Sequence, residues 1–276
     1  MKKLWILFFS LAVITTACKK KKDDDSSNND DQQFECLVDK ITYTDHNDPN
    51  ENEETVYKYK TGTNLIKSKD RSFADGSLYK YNYYYADENK GLLERIDIII
   101  QGNVVARVLY TTQNDKTTER KLQVLANDNV TWLDAWTVTY SYNGDKVSQV
   151  RIEDYDLWNQ GQNPTDETGV YTYTGDNVTN IKWYDTNNMN TVKEEYDFEY
   201  DQGKRAFDNV KTVTYPPVRV NNVIHTTHNV YGNNPTTEET FTTITYNNKG
   251  FPIKYEIKDD RDNPVATEDV EYDNCN

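Results

Sequence analysis

Alternation of apolar and polar residues is the main pattern in this chain, and residues 137–152 show it clearly. Val138, Tyr140 and Tyr142 occupy every second position there, and polar residues lie between them. A period of two is typical of a β-strand with one buried face and one wet face. Asn143-Gly144 then supplies the positive φ of a tight turn, and a second alternating segment follows. This stretch is therefore predicted to be a β-hairpin.

The same unit recurs along the chain, and each copy carries a second aromatic residue just before its turn. These residues are Tyr59, Tyr85, Tyr110, Tyr142, Tyr173, Tyr200, Tyr246 and Tyr272. Most intervals between them are 25 to 32 residues long, which is enough for two strands and two turns. The interval from Tyr200 to Tyr246 is longer. It contains Tyr215-Pro216-Pro217, which we predict to be an edge, a bend or a loop, because proline cannot donate to a central ladder.

Eight such units predict an all-β fold, an antiparallel up-and-down meander of roughly 14–16 strands. Almost no helix is expected, because no segment keeps a 3.6-residue period with caps. A closed or nearly closed barrel would pair the two sheet edges, and an open twisted sheet or a sandwich is the alternative. A membrane-spanning porin is disfavoured, because the second faces of the strands carry Thr, Lys, Glu and Asp.

The N-terminus has the layout of an export signal. A basic start precedes an apolar run at residues 4–14, and Cys18 follows Thr15-Thr16-Ala17. These residues resemble a bacterial lipobox, which implies cleavage after residue 17 and acylation of Cys18. An ordinary signal peptide that happens to contain a cysteine is the alternative. Residues 18–33 are then predicted to be the lipidated cysteine and a disordered charged tether, and residues 34–276 a single repeat-built β domain.

The expected location is the cell envelope, with the lipid anchor in the outer membrane and the periplasmic or surface face undecided. Cleavage would remove two lysines and no acidic residue, so the formal net charge of −15 would become −17. A protein this acidic is a poor candidate for binding nucleic acid.

Two more cysteines, Cys36 and Cys275, lie at the two ends of the predicted β domain. In an oxidising compartment they could pair and tie the first strand to the last. The alternative is that each is a buried free thiol, because a sequence cannot measure their separation.

The Tyr-x-Tyr unit with its turn glycine, placed behind a lipobox, resembles an uncharacterised bacterial lipoprotein family described as having a porin-like fold. The similarity covers roughly Cys36 to Cys275. A weaker similarity links Tyr246-Asn247-Asn248-Lys249-Gly250 to the tyrosine-aspartate repeats of large bacterial shell proteins. The first resemblance implies a fold and a location, and it brings no catalytic residues.

Candidate chemistry is sparse. His225 and His228 are three residues apart, which places them on opposite faces of a strand, and no nucleophile, zinc or phosphate-loop motif occurs. The acidic stretches 45–54 and 154–167 lack the spacing of a calcium loop. We therefore expect no enzyme, no metal site and no cofactor.

The tryptophans are the remaining candidates. Trp132, Trp136 and Trp183 share the parity of core positions and are predicted to point inward. Trp158 lies in a longer polar link beside Tyr155, so these two residues are the candidate ligand-binding pair; a packed loop anchor is the alternative.

The resulting hypothesis is a lipid-anchored, non-enzymatic binding or scaffold module whose partner is a glycan or an envelope protein. A purely structural envelope protein and a hydrolase that uses scattered carboxylates are the alternatives. The interruptions of the repeat, around Trp158 and Pro216-Pro217, are where a specific function is expected.

Overall fold

The computed structural model describes residues 35–155, 165–212 and 221–275. The predicted Cys18 anchor, Trp158 and Pro216-Pro217 lie outside the described residues. Within those ranges the chain holds no α-helix of the length and hydropathy that a membrane crossing requires.

The described chain forms a closed antiparallel barrel in which each strand pairs with its sequence neighbours and β1 pairs with β16. The strands are β1 (Leu37–Asp45), β2 (Glu53–Tyr59), β3 (Ile66–Phe73), β4 (Leu78–Asp87), β5 (Leu92–Ile100), β6 (Asn103–Gln113), β7 (Lys116–Leu125), β8 (Trp132–Asn143), β9 (Lys146–Asp154), β10 (Thr165–Thr174), β11 (Asn177–Asp185), β12 (Asn188–Tyr200), β13 (Val223–Val230), β14 (Thr236–Tyr246), β15 (Pro252–Asp259) and β16 (Pro264–Asp273). One short 3₁₀ helix, Pro49–Glu51, follows β1. The predicted all-β meander and its closure are confirmed.

A β-bulge accompanies each copy of the repeat, in the ladder beside the second aromatic position. The structure corrects one assignment of that position. In the third copy the equivalent of Tyr142 is Thr112, and Tyr110 is the equivalent of Tyr140. Thr112 supplies no aromatic ring, and Asn114-Asp115 adopts positive φ in place of the turn glycine, so the sequence pattern points instead to Tyr110, two residues earlier.

The second tyrosine of most copies has a specific role. Its hydroxyl donates a hydrogen bond to a backbone carbonyl at the start of the preceding strand, near the bulge. The pairs are Tyr59 to Val38 at 2.8 Å, Tyr85 to Ile66 at 2.6 Å, Tyr142 to Thr117 at 2.6 Å, Tyr200 to Val178, and Tyr272 to Pro252 at 2.7 Å. A bulge disrupts its ladder locally, and these hydroxyls supply hydrogen bonds to backbone carbonyls in that region. The hydrogen bond from Tyr59 to Val38 joins β2 to β1. The same kind of hydrogen bond is therefore also present next to the β1–β16 pair that closes the barrel.

The Tyr142→Phe variant tests this role. It keeps the ring and removes the hydroxyl that binds the Thr117 carbonyl, so we expect the free energy of unfolding to fall by about 1 kcal/mol. Urea denaturation measures the change. Tyr79→Phe is the matched control, because the Tyr79 hydroxyl has no hydrogen-bond partner among the described residues. Equal losses in the two variants would contradict the role.

One connection folds into the barrel. Residues 203–212, between β12 and β13, form what we call the plug segment; Ala206, Phe207 and Val210 in it are fully buried. They belong to the main core cluster with Leu37, Val38, Tyr57, Ile66, Tyr83, Leu93, Ile96 and Val270. The plug segment therefore blocks one end of the lumen, which we call the plug end.

Hydrogen bonds hold the plug segment to the turns around it. Lys211 N donates to the Asn64 carbonyl at 3.0 Å, and Ile66 N donates to Thr212 Oγ1 at 2.8 Å. Gly91 lets the segment approach closely, because a Cβ there would lie only 2.0 Å from the Lys211 carbonyl oxygen. At the opposite end, the mouth, the described turns are short and mostly exposed.

A disulfide joins Cys36 and Cys275 at the plug end, and their Cα atoms lie 4.3 Å apart. It links the two chain ends of the barrel beside the β1–β16 ladder, which runs from Leu37–Asp273 to Asp45–Ala266. The disulfide and the β1–β16 hydrogen bonds therefore close the barrel at the same place.

Candidate functional site

The inner wall near β1–β4 and β16 carries a group of polar residues that we call the lumen cluster. Its members are Tyr43, Glu53, Tyr57, Lys69, Arg71, Tyr81 and Glu268. Strand register brings them together: Tyr43 pairs with both Glu268 and Glu53, and Lys69 pairs with both Tyr57 and Tyr81. Tyr57 and Tyr81 pack into the main core cluster, so these register positions face the lumen.

Arg71 and Glu53 form the central ion pair of the lumen cluster. Arg71 Nε lies 2.6 Å from Glu53 Oε2, and Nη2 contacts the same oxygen. The side chains are only 5% and 14% exposed. Each charge therefore compensates the desolvation of the other, and the pair leaves little net charge for a ligand.

Lys69 is the cation of the lumen cluster that lacks an acidic partner. Its Nζ lies 4.6 Å from the centre of the Tyr81 ring, and it forms no ion pair within the described residues. Burial, reinforced by the nearby Arg71 guanidinium, lowers the pKa of Lys69 to about 8. The amine is thus charged at neutral pH but close to losing its proton.

Glu268 is the acid of the lumen cluster that lacks a basic partner. It accepts no hydrogen bond and forms no ion pair within the described part of the chain. Burial raises the pKa of Glu268 to about 7, and the Glu53 carboxylate adds to the rise. Burial also raises the pKa of Tyr43 to about 12, so that neighbouring hydroxyl stays a neutral donor.

The lumen cluster lies next to the plug segment, because the Tyr57 ring meets the Phe207 ring edge to face at 5.2 Å between centroids. Tyr57 also lines an open depression of about 450 Å³ beside the plug-end parts of β1 and β2. The two strands are paired only from Lys40–Val56 to Tyr43–Glu53. The floor of the lumen therefore lies beside the part of the wall where the β1–β2 ladder is short.

A second polar group lies on the inner wall of β12 and β13. Glu194 Oε2 is 3.0 Å from the Tyr196 hydroxyl and 3.1 Å from His228 Nε2. The hydrogen bond with His228 holds the pKa of Glu194 below its usual value. The Tyr196 and His228 rings are stacked at 4.1 Å. The polar side chains of this group are therefore already hydrogen-bonded or stacked with one another.

The histidines behave as the strand period predicts. His228 pairs with Tyr196 on the inner wall, and His225 stacks on Phe241 at 4.4 Å on the outer wall. Among the described residues no three His, Cys, Asp or Glu side chains are grouped closely enough to hold a metal ion.

The predicted tryptophan positions are partly confirmed. Trp136 and Trp183 pack against the second core cluster, which Val138, Val147 and Val150 form. The prediction for Trp132 is wrong. A bulge at Ala135 reverses the alternation, and the Trp132 ring lies on the outer wall under the Arg107 guanidinium at 4.1 Å.

Tyr155, one of the two predicted ligand-binding residues, does not join the lumen cluster. Its amide donates to the Ala135 carbonyl at 2.9 Å, and its hydroxyl lies 3.4 Å from Thr137 Oγ1. Thr137 pairs with Glu153 on the outer wall, so Tyr155 lies against that wall at the mouth. Trp158, the other predicted residue, is in the undescribed connection 156–164.

Sequence reasoning missed the charged members of the lumen cluster, although one signal was present. Glu53 shares its parity with Tyr57 and Tyr59, and Glu268 shares its parity with Val270 and Tyr272. An acid in phase with core tyrosines marks an inward position. Lys69 has no such signal, because a bulge between Ile66 and Ser68 reverses the phase.

The outer wall carries cross-strand ion pairs, including Lys40–Glu271 at 2.6 Å, Arg151–Asp166 at 2.7 Å and Lys182–Glu195 at 3.2 Å. Charges on a lipid-facing barrel surface are destabilising. The outer wall of the described barrel therefore carries charges that a lipid-facing surface disfavours.

Comparison with solved structures supports the predicted porin-like fold. A porin-like protein from Bacteroides uniformis superposes with a TM-score of 0.53 and 12% identity, over 87% of this chain and 100% of the other. A porin-like protein from Bacteroides vulgatus gives a TM-score of 0.51 and 12% identity, over 87% and 99%. No protein-family model and no curated protein matches the sequence. At this identity the similarity establishes the fold alone.

Proposed function

We propose that this porin-like barrel is a lipid-anchored binding protein of the bacterial cell envelope, which takes up a small polar ligand in its lumen and catalyses no reaction. The observation that carries the proposal is the plug segment. It closes one end of the barrel with Ala206, Phe207 and Val210, which favours a binding protein over a pore. Ligand sites are typically concave and largely preformed, with few polar groups.

The anchor and the location rest on separate support. The residues before Cys18 resemble a lipobox, and a charged tether follows them. The ion-paired outer wall fits a barrel that is held at the membrane without being inserted in it. Trp158 and Tyr155 are proposed to contact a larger glycan or envelope-protein partner, separately from the small ligand in the lumen.

One observation favours the carboxylate-dependent hydrolase as a second candidate. Glu53 and Glu268 are both register neighbours of Tyr43, which places their Cα atoms roughly 10 Å apart. Two carboxyl groups on one wall, one of them with a raised pKa, are the equipment of a general acid and base. Binding is the preferred function because Glu53 is already held by Arg71.

A calorimetric titration of the full mature chain in detergent tests the function. The ligand panel holds neutral sugars, sugar acids, amino acids and short peptides. We expect saturable one-to-one binding that Tyr81→Ala weakens about tenfold, a loss of about 1.4 kcal/mol. Tyr84→Ala is the matched control, because Tyr84 lies on the outer side of the same strand and is 38% exposed.

Each other outcome selects an alternative. No saturable ligand would favour the purely structural protein, and release of a cleaved product would favour the hydrolase. Equal losses in Tyr81→Ala and Tyr84→Ala would place the ligand outside the lumen. Cys18→Ala should release the chain from membranes, and retention there would contradict the anchor.

A further inference from the structure

We propose that the lumen cluster binds a small organic carboxylate whose anionic group pairs with Lys69. This inference rests on the proposed function and specifies the ligand of the same site. A buried ammonium group without a counter-ion is costly, and an anion that enters the lumen would supply the missing partner.

The arrangement of charges selects Lys69 as the contact. Arg71 is already paired with Glu53, so it contributes little attraction of its own. Lys69 has no acidic partner, and it faces Tyr57 from β2 and Tyr81 from β4. Burial keeps the Tyr57 and Tyr81 pKa values above the ordinary value, so both tyrosines stay neutral and their hydroxyls can donate to an anion.

Charge also argues against a cationic ligand. The unpaired acid, Glu268, faces Tyr43 from β1 and Tyr255 from β15, and Glu53 lies one strand beyond Tyr43. With its pKa near 7, Glu268 is half protonated at neutral pH and is a weak attractor for a cation. Lys69 is mostly charged at that pH, so it is the persistent cation that the described residues of the lumen cluster leave without an acidic partner.

The same two groups make carboxylate binding depend on pH. As pH rises from 6 to 8.5, Glu268 gains a negative charge and Lys69 loses its positive charge. Both changes weaken the binding of an anion, so the affinity for a carboxylate should fall about tenfold or more across this range. Below pH 6 both groups are protonated and the affinity should level off.

Titration calorimetry of the full mature chain tests the inference with three matched pairs of probes: glucuronate and glucose, galacturonate and galactose, glutamate and glutamine. At pH 6 we expect at least one carboxylate to bind at least tenfold more tightly than its neutral counterpart. Lys69→Met should abolish that preference. Lys67→Met is the control, because Lys67 is exposed on the same strand. Glu268→Gln should retain more affinity at pH 8.5 than the natural chain.

The inference is overturned if no carboxylate binds, if neutral probes bind equally well, or if Lys69→Met and Lys67→Met behave alike. If the neutral probes bind as tightly as the carboxylates and Tyr81→Ala abolishes their binding, the inference is contradicted and the proposed function is supported. If no member of the wider ligand panel binds at all, the proposed function fails with it.

Discussion

The Cys36→Ser/Cys275→Ser variant should have a free energy of unfolding about 5 kcal/mol lower than that of the natural chain. The disulfide closes a loop with a sequence separation of 239 residues. In the chain-entropy model a cross-link of that length removes a large part of the freedom of the unfolded chain. The native barrel should persist, because the β1–β16 ladder closes the same seam with backbone hydrogen bonds.

Equilibrium urea denaturation measures this loss, and circular dichroism checks that the folded variant keeps its strands. The natural chain treated with a thiol reductant is the matched control and should lose the same free energy. A difference below about 1 kcal/mol would mean that the unfolded chain is already compact enough for the cross-link to matter little.

The architecture could be predicted because it is repetitive. Each hairpin shows its own alternation and its own turn residues, as Val138, Tyr140 and Asn143-Gly144 do. Consecutive hairpins then leave few ways to arrange the strands in the sheet. Closure follows from the two edges that a meander leaves. The tyrosines were correctly placed as core residues, but their hydrogen bonds to carbonyls near the bulges depend on strand register, which a period does not reveal.

Bulges explain most of the errors in the details. One extra residue reverses the alternation of a strand, so parity cannot be carried across it. This places Trp132 on the outer wall, and it means that alternation counted from Ile66 assigns Lys69 to the wrong face. The error at Tyr110 has another cause, because Thr112 stands where the other copies have their second aromatic residue. The signal that a bulge leaves in a sequence is too weak to correct for in advance.

The plug segment could not be predicted, because residues 203–212 show neither the two-residue period of a strand nor the 3.6-residue period of a helix. Their contact partners are also distant in sequence. Phe207 packs on Tyr57, and Lys211 binds the Asn64 carbonyl. The long interval between Tyr200 and Tyr246 did indicate that something interrupts the repeat. The proposed site borders the plug segment at the floor of the lumen, and the expectation that a specific function lies around Trp158 and Pro216-Pro217 stays a prediction.

The largest effect within the lumen cluster is expected for Arg71→Met, which should lower the free energy of unfolding by about 3–5 kcal/mol. The variant leaves the Glu53 carboxylate buried without its partner, and that cost usually exceeds the value of the pair itself. The double variant Arg71→Met/Glu53→Gln removes both charges and should recover most of the loss. Urea denaturation of the four forms in a double-mutant cycle gives the coupling energy.

The same cycle separates stability from binding. If the Arg71–Glu53 pair only supports the wall, the double variant should keep its affinity for a carboxylate, because Lys69 remains in place with its Tyr57 and Tyr81 neighbours. A loss of less than 1 kcal/mol in Arg71→Met would show that water reaches Glu53 and that the pair is not desolvated. Lost affinity in a stable double variant would instead make Arg71 a direct ligand contact, and the anion would then sit between two cations.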